Sequence, residues 1–169
     1  MHAKSVRRLA LAAVIAGATP FALAPHAFAI GPESLEQPVK AKGKWDEKWG
    51  ELGDDYKAAV KLSDDGKYAE AFDAFQKLNK PEDPRVLTYL GFTTRKLGKP
   101  KDSLVYYDKA ISIEPGFAPA REYRGEAYIQ LGQIDKAKAE LAEIEKICGN
   151  TTCEAYTDLA KSLAAAPKS

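Results

Sequence analysis

Cys148 and Cys153 bracket the cluster Gly149-Asn150-Thr151-Thr152 and are the residues of this 169-residue chain best placed for covalent chemistry. Two chemistries suit a thiol pair. A redox-active pair usually has two intervening residues at a helix start, where one thiol's pKa is depressed. The wider spacing here spans a helix-stop and helix-start cluster, and in an exported protein it reads as a structural disulfide. Gly149 or Asn150 can adopt the left-handed conformation that ends a helix, and Thr151 with Glu154 forms a capping box for the next one. Closing so short a loop contributes about 2 kcal/mol through the unfolded state.

Other catalytic chemistry is poorly supplied. His2 and His26 are the only histidines, and both precede residue 30. The rest of the chain therefore lacks the usual general base, the usual activator of a serine or cysteine nucleophile, and the commonest zinc or haem ligand. No carboxylates are spaced like an acid-base pair, and neither a glycine-rich phosphate loop nor a nucleophile elbow is present. Asp54-Asp55 and Asp64-Asp65-Gly66 lack the alternating oxygen ligands and distal glutamate of a calcium loop, so they read as turn residues. The expectation is a protein without catalysis, cofactor or metal; a thiol-redox role for Cys148 and Cys153 is the minor alternative.

The expectation of export comes from the first residues. Lys4, Arg7 and Arg8 precede the apolar run Leu9–Ala18, and Ala27-Phe28-Ala29 supplies a small-residue cleavage site, so residues 1–29 read as a signal peptide cut after Ala29. The residues around Arg7-Arg8 match a twin-arginine signal poorly, which favours the general secretory route and a periplasmic or secreted protein. The run is too short for a membrane span, and Pro20 and Pro25 interrupt its continuation, so no stable insertion is expected after cleavage. Cleavage would remove three of the 25 basic residues and none of the 24 acidic ones, leaving 22 cations against 24 anions. No concentrated basic face survives to neutralise phosphates, which argues against nucleic acid as a partner. Residues 30–51 read as a flexible leader in which Lys40, Lys42, Lys44 and Lys48 are solvated. Within it, Trp45 and Trp49 are four apart and could share the face of a short helix covering the first repeat, or offer an exposed aromatic contact.

The elements that must carry any function repeat at a fixed period. Gly66, Gly98 and Gly132 stand 32 and 34 residues apart. Each is followed at matching offsets by Ala71, Ser103 and Ala137, then by Phe75, Tyr107 and Leu141, then by Leu78, Ala110 and Ile144. A glycine turn, a small residue five positions on and an aromatic or leucine nine positions on resemble the tetratricopeptide repeat family. The middle repeat carries the fullest match, with Leu87, Leu90, Gly91, Gly98, Ser103, Tyr107, Ala110 and Pro115. The third has Arg121 and Arg124 where large apolar residues are usual, so its first helix is expected to pack less tightly. Gly91, Gly125 and Ala59 are expected where the two helices of each pair approach closely. The resemblance implies an all-α fold, a right-handed superhelical solenoid of three helix-turn-helix repeats over residues 52–150 (about 52–83, 84–117 and 118–150). Tyr156, Leu159, Ala160 and Leu163 share one face of a capping helix over 151–165, with Glu154, Asp158 and Lys161 turned to water and a disordered tail at 166–169.

In this family the first helix of each repeat lines a concave groove. Position by position, the lining implied here is Tyr56, Lys57 and Val60, then Arg85, Thr88, Tyr89, Phe92, Arg95 and Lys96, then Glu122, Tyr123, Glu126 and Gln130. Aromatic residues with a basic centre and an acidic far wall suit a protein or peptide segment. The alternative for Tyr89, Phe92 and Tyr123 is packing between helices. Family members that grip a terminal carboxylate carry a lysine, asparagine and arginine clamp; here those positions hold Tyr56, Val60, Tyr89, Pro119 and Tyr123, so the clamp is absent. The functional expectation is a non-catalytic interaction module or scaffold of the bacterial cell envelope. A self-assembling homo-oligomer is the second reading.

Overall fold

The structure is a computed structural model that describes residues 48–167, all within one compact unit. The signal peptide, its cleavage at Ala29, Trp45 and the leader lysines Lys40, Lys42 and Lys44 lie outside the described residues, as do Lys168 and Ser169. Among the described residues the chain is all-helical, with helices α1 (Asp54–Asp64), α2 (Tyr68–Lys77), α3 (Pro84–Lys96), α4 (Pro100–Ile113), α5 (Ala118–Gln130), α6 (Ile134–Cys148) and α7 (Glu154–Ala165). They pack as consecutive antiparallel hairpins, α1/α2, α3/α4 and α5/α6, with α7 closing on α5 and α6. None is long and apolar enough to cross a membrane.

Local chemistry sets these boundaries. The three register glycines all take left-handed backbone, with φ of 74°, 80° and 70° at Gly66, Gly98 and Gly132. At each of them the next residue's N–H reaches back five positions. Lys67 donates to the Leu62 carbonyl at 2.9 Å, Lys99 to Thr94 at 3.2 Å and Gln133 to Tyr128 at 2.8 Å. This is the hydrogen-bonded stop that a residue without Cβ permits, and its repetition is why the hairpins share one geometry. Prolines open α3, α4 and α5 at positions where the missing N–H has no intrahelical role. Asp83 caps α3, accepting the Arg85 N–H at 2.9 Å.

The core runs between the stacked helices. Phe75, Tyr89, Tyr107, Phe117, Ile144 and Leu159 are fully or almost fully buried, interleaved with Ala59, Ala71, Ala110, Ala127 and Ala137. At Gly91 a Cβ would fall 2.5 Å from Cε1 of Tyr107, so α3 and α4 touch there as expected for a hairpin. Gly125 makes its close approach elsewhere. A Cβ on it would lie 2.6 Å from Cδ2 of Leu159, on the capping helix, so the small residue admits the cap.

Three expectations are corrected. Arg121 and Arg124 leave no loosened helix, because Glu140 of α6 binds both: Arg124 Nη2 donates to Glu140 Oε1 at 2.6 Å, and Arg121 Nη1 donates to Oε2 at 3.3 Å. Arg124 also pairs with Asp108 of α4 at 2.7 Å, so a charge network replaces apolar packing. The capping box of Thr151 and Glu154 does not form: α7 begins after Cys153 with no side-chain cap. Asn150 Oδ1 instead accepts the N–H groups of Thr152 and Cys153 at 2.9 and 3.1 Å, while Gly149 takes the left-handed stop at φ 70°. The leader end packs away from the first repeat. Trp49 lies against the cluster of Leu87, Ala110, Ile111, Phe117 and Ala120, and Lys48 is ion-paired with Glu114.

Candidate binding groove

The thirteen groove residues implied by the repeat register do not form one uniform surface. Tyr56 and Tyr89 join Phe75 in an aromatic knot between α1, α2 and α3. Tyr89 stacks on Phe75 with centroids 4.7 Å apart, and Tyr56 meets both edge-on at 5.6 and 5.8 Å. Burial first, then Tyr56 and Asp64, pushes the Tyr89 phenol far above its ordinary value. Tyr89 is thus core, and so are Phe92 and Tyr123, buried in the same cluster, which is the packing alternative weighed for all three.

Arg85 is also occupied. Its guanidinium is 2 % exposed and pairs with Asp83, Nη2 to Oδ2 at 2.7 Å and Nε to Oδ1 at 3.0 Å. It also donates to the Gly50 carbonyl at 2.9 Å, which ties the incoming chain to the start of α3.

A second set gathers where α3, α5 and α7 meet. Phe92 sits between Tyr68 at 6.0 Å and Tyr123 at 5.4 Å, both edge-on, and Tyr123 in turn stacks on Tyr107 at 6.4 Å. Arg95 lies over both central rings, 5.7 Å from Phe92 and 5.8 Å from Tyr123, and Lys96 approaches Phe92 at 5.4 Å. Repeat spacing places one large side chain per turn on each first helix, and stacking the repeats converts those separate positions into this ladder.

Its polar edge is acidic. Arg95 pairs with Glu126, whose other oxygen accepts the Ser162 hydroxyl at 3.1 Å, so α3, α5 and α7 are bridged in one line. Glu122, one turn earlier on α5, is 6 % exposed. Burial first, then the carboxylates of Glu126, Asp158 and Glu154, push its carboxyl well above the usual range, against a smaller pull from Arg95. Burial first, then Glu122, Glu126 and Tyr89, raise the Tyr123 phenol.

Asp158 and Ser162 were not among the groove residues implied by the register, because Asp158 reads as solvent-facing on the cap. The available signal is their spacing: Glu154, Asp158 and Ser162 recur every four residues and share a face of α7. Among the described residues no His, Cys, Asp or Glu cluster is arranged to hold a metal ion. Cys148 and Cys153 are joined as a disulfide with Cα atoms 6.3 Å apart, at the α6–α7 turn and apart from this ladder.

Comparison with known proteins bears out the repeat resemblance. Residues 95–147 match the sequence profile of the tetratricopeptide repeat. A search of curated proteins finds no match. Among solved structures, the fold is similar to the type III secretion translocator chaperone SycD of Yersinia enterocolitica, with a TM-score of 0.60 and 22 % identity, covering 66 % of this chain and 87 % of that one. SycD in complex with a peptide of the translocator YopD aligns with a TM-score of 0.58 at 22 % identity, over 66 % and 88 % of the two chains. PcrH in complex with the chaperone-binding region of PopB aligns with a TM-score of 0.55 at 22 % identity, over 69 % and 98 %.

Proposed function

We propose that this chain is an exported, non-catalytic protein-binding module of the bacterial cell envelope, which holds a segment of another protein along the first helices of its repeats. The observation that carries the reading is the ladder of Phe92 and Tyr123 with Arg95 laid over both rings, edged by Glu122, Glu126 and Asp158. Phe92, Tyr123 and Arg95 are themselves buried, so the ladder fixes the shape of the wall, and the half-buried Lys96 and Glu126 at its edge supply the charges that set register and direction for a partner. The similarity to SycD, solved with a peptide of the translocator YopD, and to PcrH, solved with the chaperone-binding region of PopB, supports a peptide or protein partner. Export rests on the basic start, the Leu9–Ala18 run and the Ala27-Phe28-Ala29 site.

The test is photo-crosslinking in cells from position 96. Lys96 is half-buried at the edge of the ladder, so a photoreactive residue there disturbs the core less than one at Phe92. Exposed Lys138 on α6 provides the control position. Capture of one protein from position 96 and not from 138 supports the groove and names the pathway. Capture from Val105, which is 64 % exposed on α4, with none from 96, overturns it. Fractionation of the cells checks export: a protein retained in the cytoplasm removes the envelope assignment.

A further inference from the structure

α3 is buried without a break from Pro84 to Arg95, on its concave side as well as on the sides where α2, α4 and α5 pack along it. Counted from the small residue of each hairpin, Thr88 and Phe92 of α3 match Tyr56 and Val60 of α1. The α1 pair is half-buried, whereas Thr88 is 0 % and Phe92 9 % exposed. At the start of α3 the cover is the chain's own approach. Arg85 Nη2 donates to the carbonyls of Trp49 and Gly50 at 3.4 and 2.9 Å, the Trp49 side chain is seated against Leu87 and Phe117, and Lys48 is paired with Glu114 just before α5. Three separate contacts therefore pin residues 48–50 across the starts of α3 and α5, at one end of the groove those helices line. The chain before this strap is long enough to cover the rest: residues 30–47 reach about 60 Å when extended, against about 20 Å for the 13 residues of α3. They also match it in charge. Lys40, Lys42 and Lys44 follow one another with no anion between them, and the wall beyond α3 is acidic, with Glu122 and Glu126 on α5 and Asp158 on α7.

We propose that the leader, residues 30–47, lies along the concave side of α3 as the groove's own occupant, with its lysines toward the acidic wall, so that a partner enters by displacing it. This rests on reading the groove as a peptide site and deepens it, because binding becomes a competition between two segments. The strap at residues 48–50 holds the leader beside the groove at high local concentration, and a partner's apparent affinity falls by the fraction of molecules in which the groove stands open. Arg85 is then a positioning residue: its guanidinium holds the strap and leaves the partner to the rest of the groove.

The test places a photoreactive residue at position 96, the half-buried edge of the ladder, in the full chain purified as it accumulates in cells. Illuminating a mixture of isotope-labelled and unlabelled protein and sequencing the linked peptides by mass spectrometry separates links within one molecule from links between two. Links from position 96 into residues 30–47 of the same molecule are expected. Their yield should fall roughly five-fold when Lys40, Lys42 and Lys44 are all changed to glutamine, the combined effect of three weak ion pairs. Links that join differently labelled molecules overturn the internal occupant in favour of a second copy, and links only to residues 1–29 overturn it in favour of the apolar start of the chain. No link into either segment, or a yield that the lysine changes leave untouched, overturns it outright. Capture in cells judges the groove separately: a partner caught from position 96 with no internal link overturns the leader's role alone, whereas internal links with no partner caught overturn the groove reading and, with it, displacement.

Discussion

Gly91→Ala isolates the contact on which the middle hairpin depends. The added Cβ would sit 2.5 Å from Cε1 and 2.8 Å from both Cδ1 and Cζ of Tyr107. Carbon atoms pack at roughly 3.5–4.0 Å, so three ring atoms must each give way by about 1 Å. Tyr107 is fully buried and stacked on Tyr123, so the ring cannot swing into water. Two terms oppose each other. Replacing a helical glycine gains about 1 kcal/mol of propensity, while overpacking a rigid site costs about 1–3 kcal/mol, the upper end being appropriate to a ring with no exit. The net expectation is a loss of about 1–2 kcal/mol. Urea unfolding followed by circular dichroism, with the slope unchanged, measures it. The same substitution in a Tyr107→Leu background should reverse sign, because only the propensity term remains, and stabilise by up to about 1 kcal/mol. Gly91→Ala as stable as wild type, or equally damaging in both backgrounds, would refute the steric account.

Glu122→Gln should be more stable than wild type near neutral pH. The native state keeps the Glu122 proton to higher pH than the unfolded chain does, so the stability this group adds is complete below the unfolded value of 4.5 and is lost as pH rises through the raised native one. Melting profiles of the two proteins should converge in acid and separate as pH rises; a less stable variant at neutral pH would contradict the linkage. Changing Cys148 and Cys153 together to serine should cost about 2 kcal/mol, with amide exchange quickening first in α7, and unchanged exchange there would argue against the staple. Glu140→Gln should cost about 3 kcal/mol in urea unfolding, since Arg121 and Arg124 would lose a shared carboxylate that is 7 % exposed. Changing all three residues to leucine should recover most of that loss, and failure to recover it would show that the network does more than replace packing.

The hairpins are legible because each is written within one turn. Gly66, Gly98 and Gly132 sit where only a left-handed residue lets the following N–H bond back five positions, and the prolines just inside α3, α4 and α5 mark the starts. Pairings across repeats are not legible in that way. Nothing near Arg124 in sequence names Glu140 or Asp108, which lie 16 positions away on either side and arrive only when α4, α5 and α6 stack. The groove residues divide along the same line. The register puts Phe92, Arg95, Tyr123 and Glu126 within reach of one another, yet it cannot say that the first three are buried, that Tyr89 turns into the packing shared with Tyr56 and Phe75, or that Arg85 is claimed by Asp83.

The capping helix joins stability to the site. Leu159 fills the notch that Gly125 leaves, and its neighbour in sequence, Asp158, together with Ser162 one turn on, reaches the acidic edge of α5. One helix therefore closes the core and supplies a wall of the groove, and its position is set at one end by the disulfide and along its length by the Leu159 contact. A helix fixed in this way presents its side chains without an ordering cost when a partner arrives, which is the physical advantage of building a binding wall from a cap. It also means that the cysteine pair can influence binding with no thiol chemistry of its own: opening the disulfide lets α7 fray from its start, and Glu154 and Asp158, nearest that start, are the first groups of the site to move.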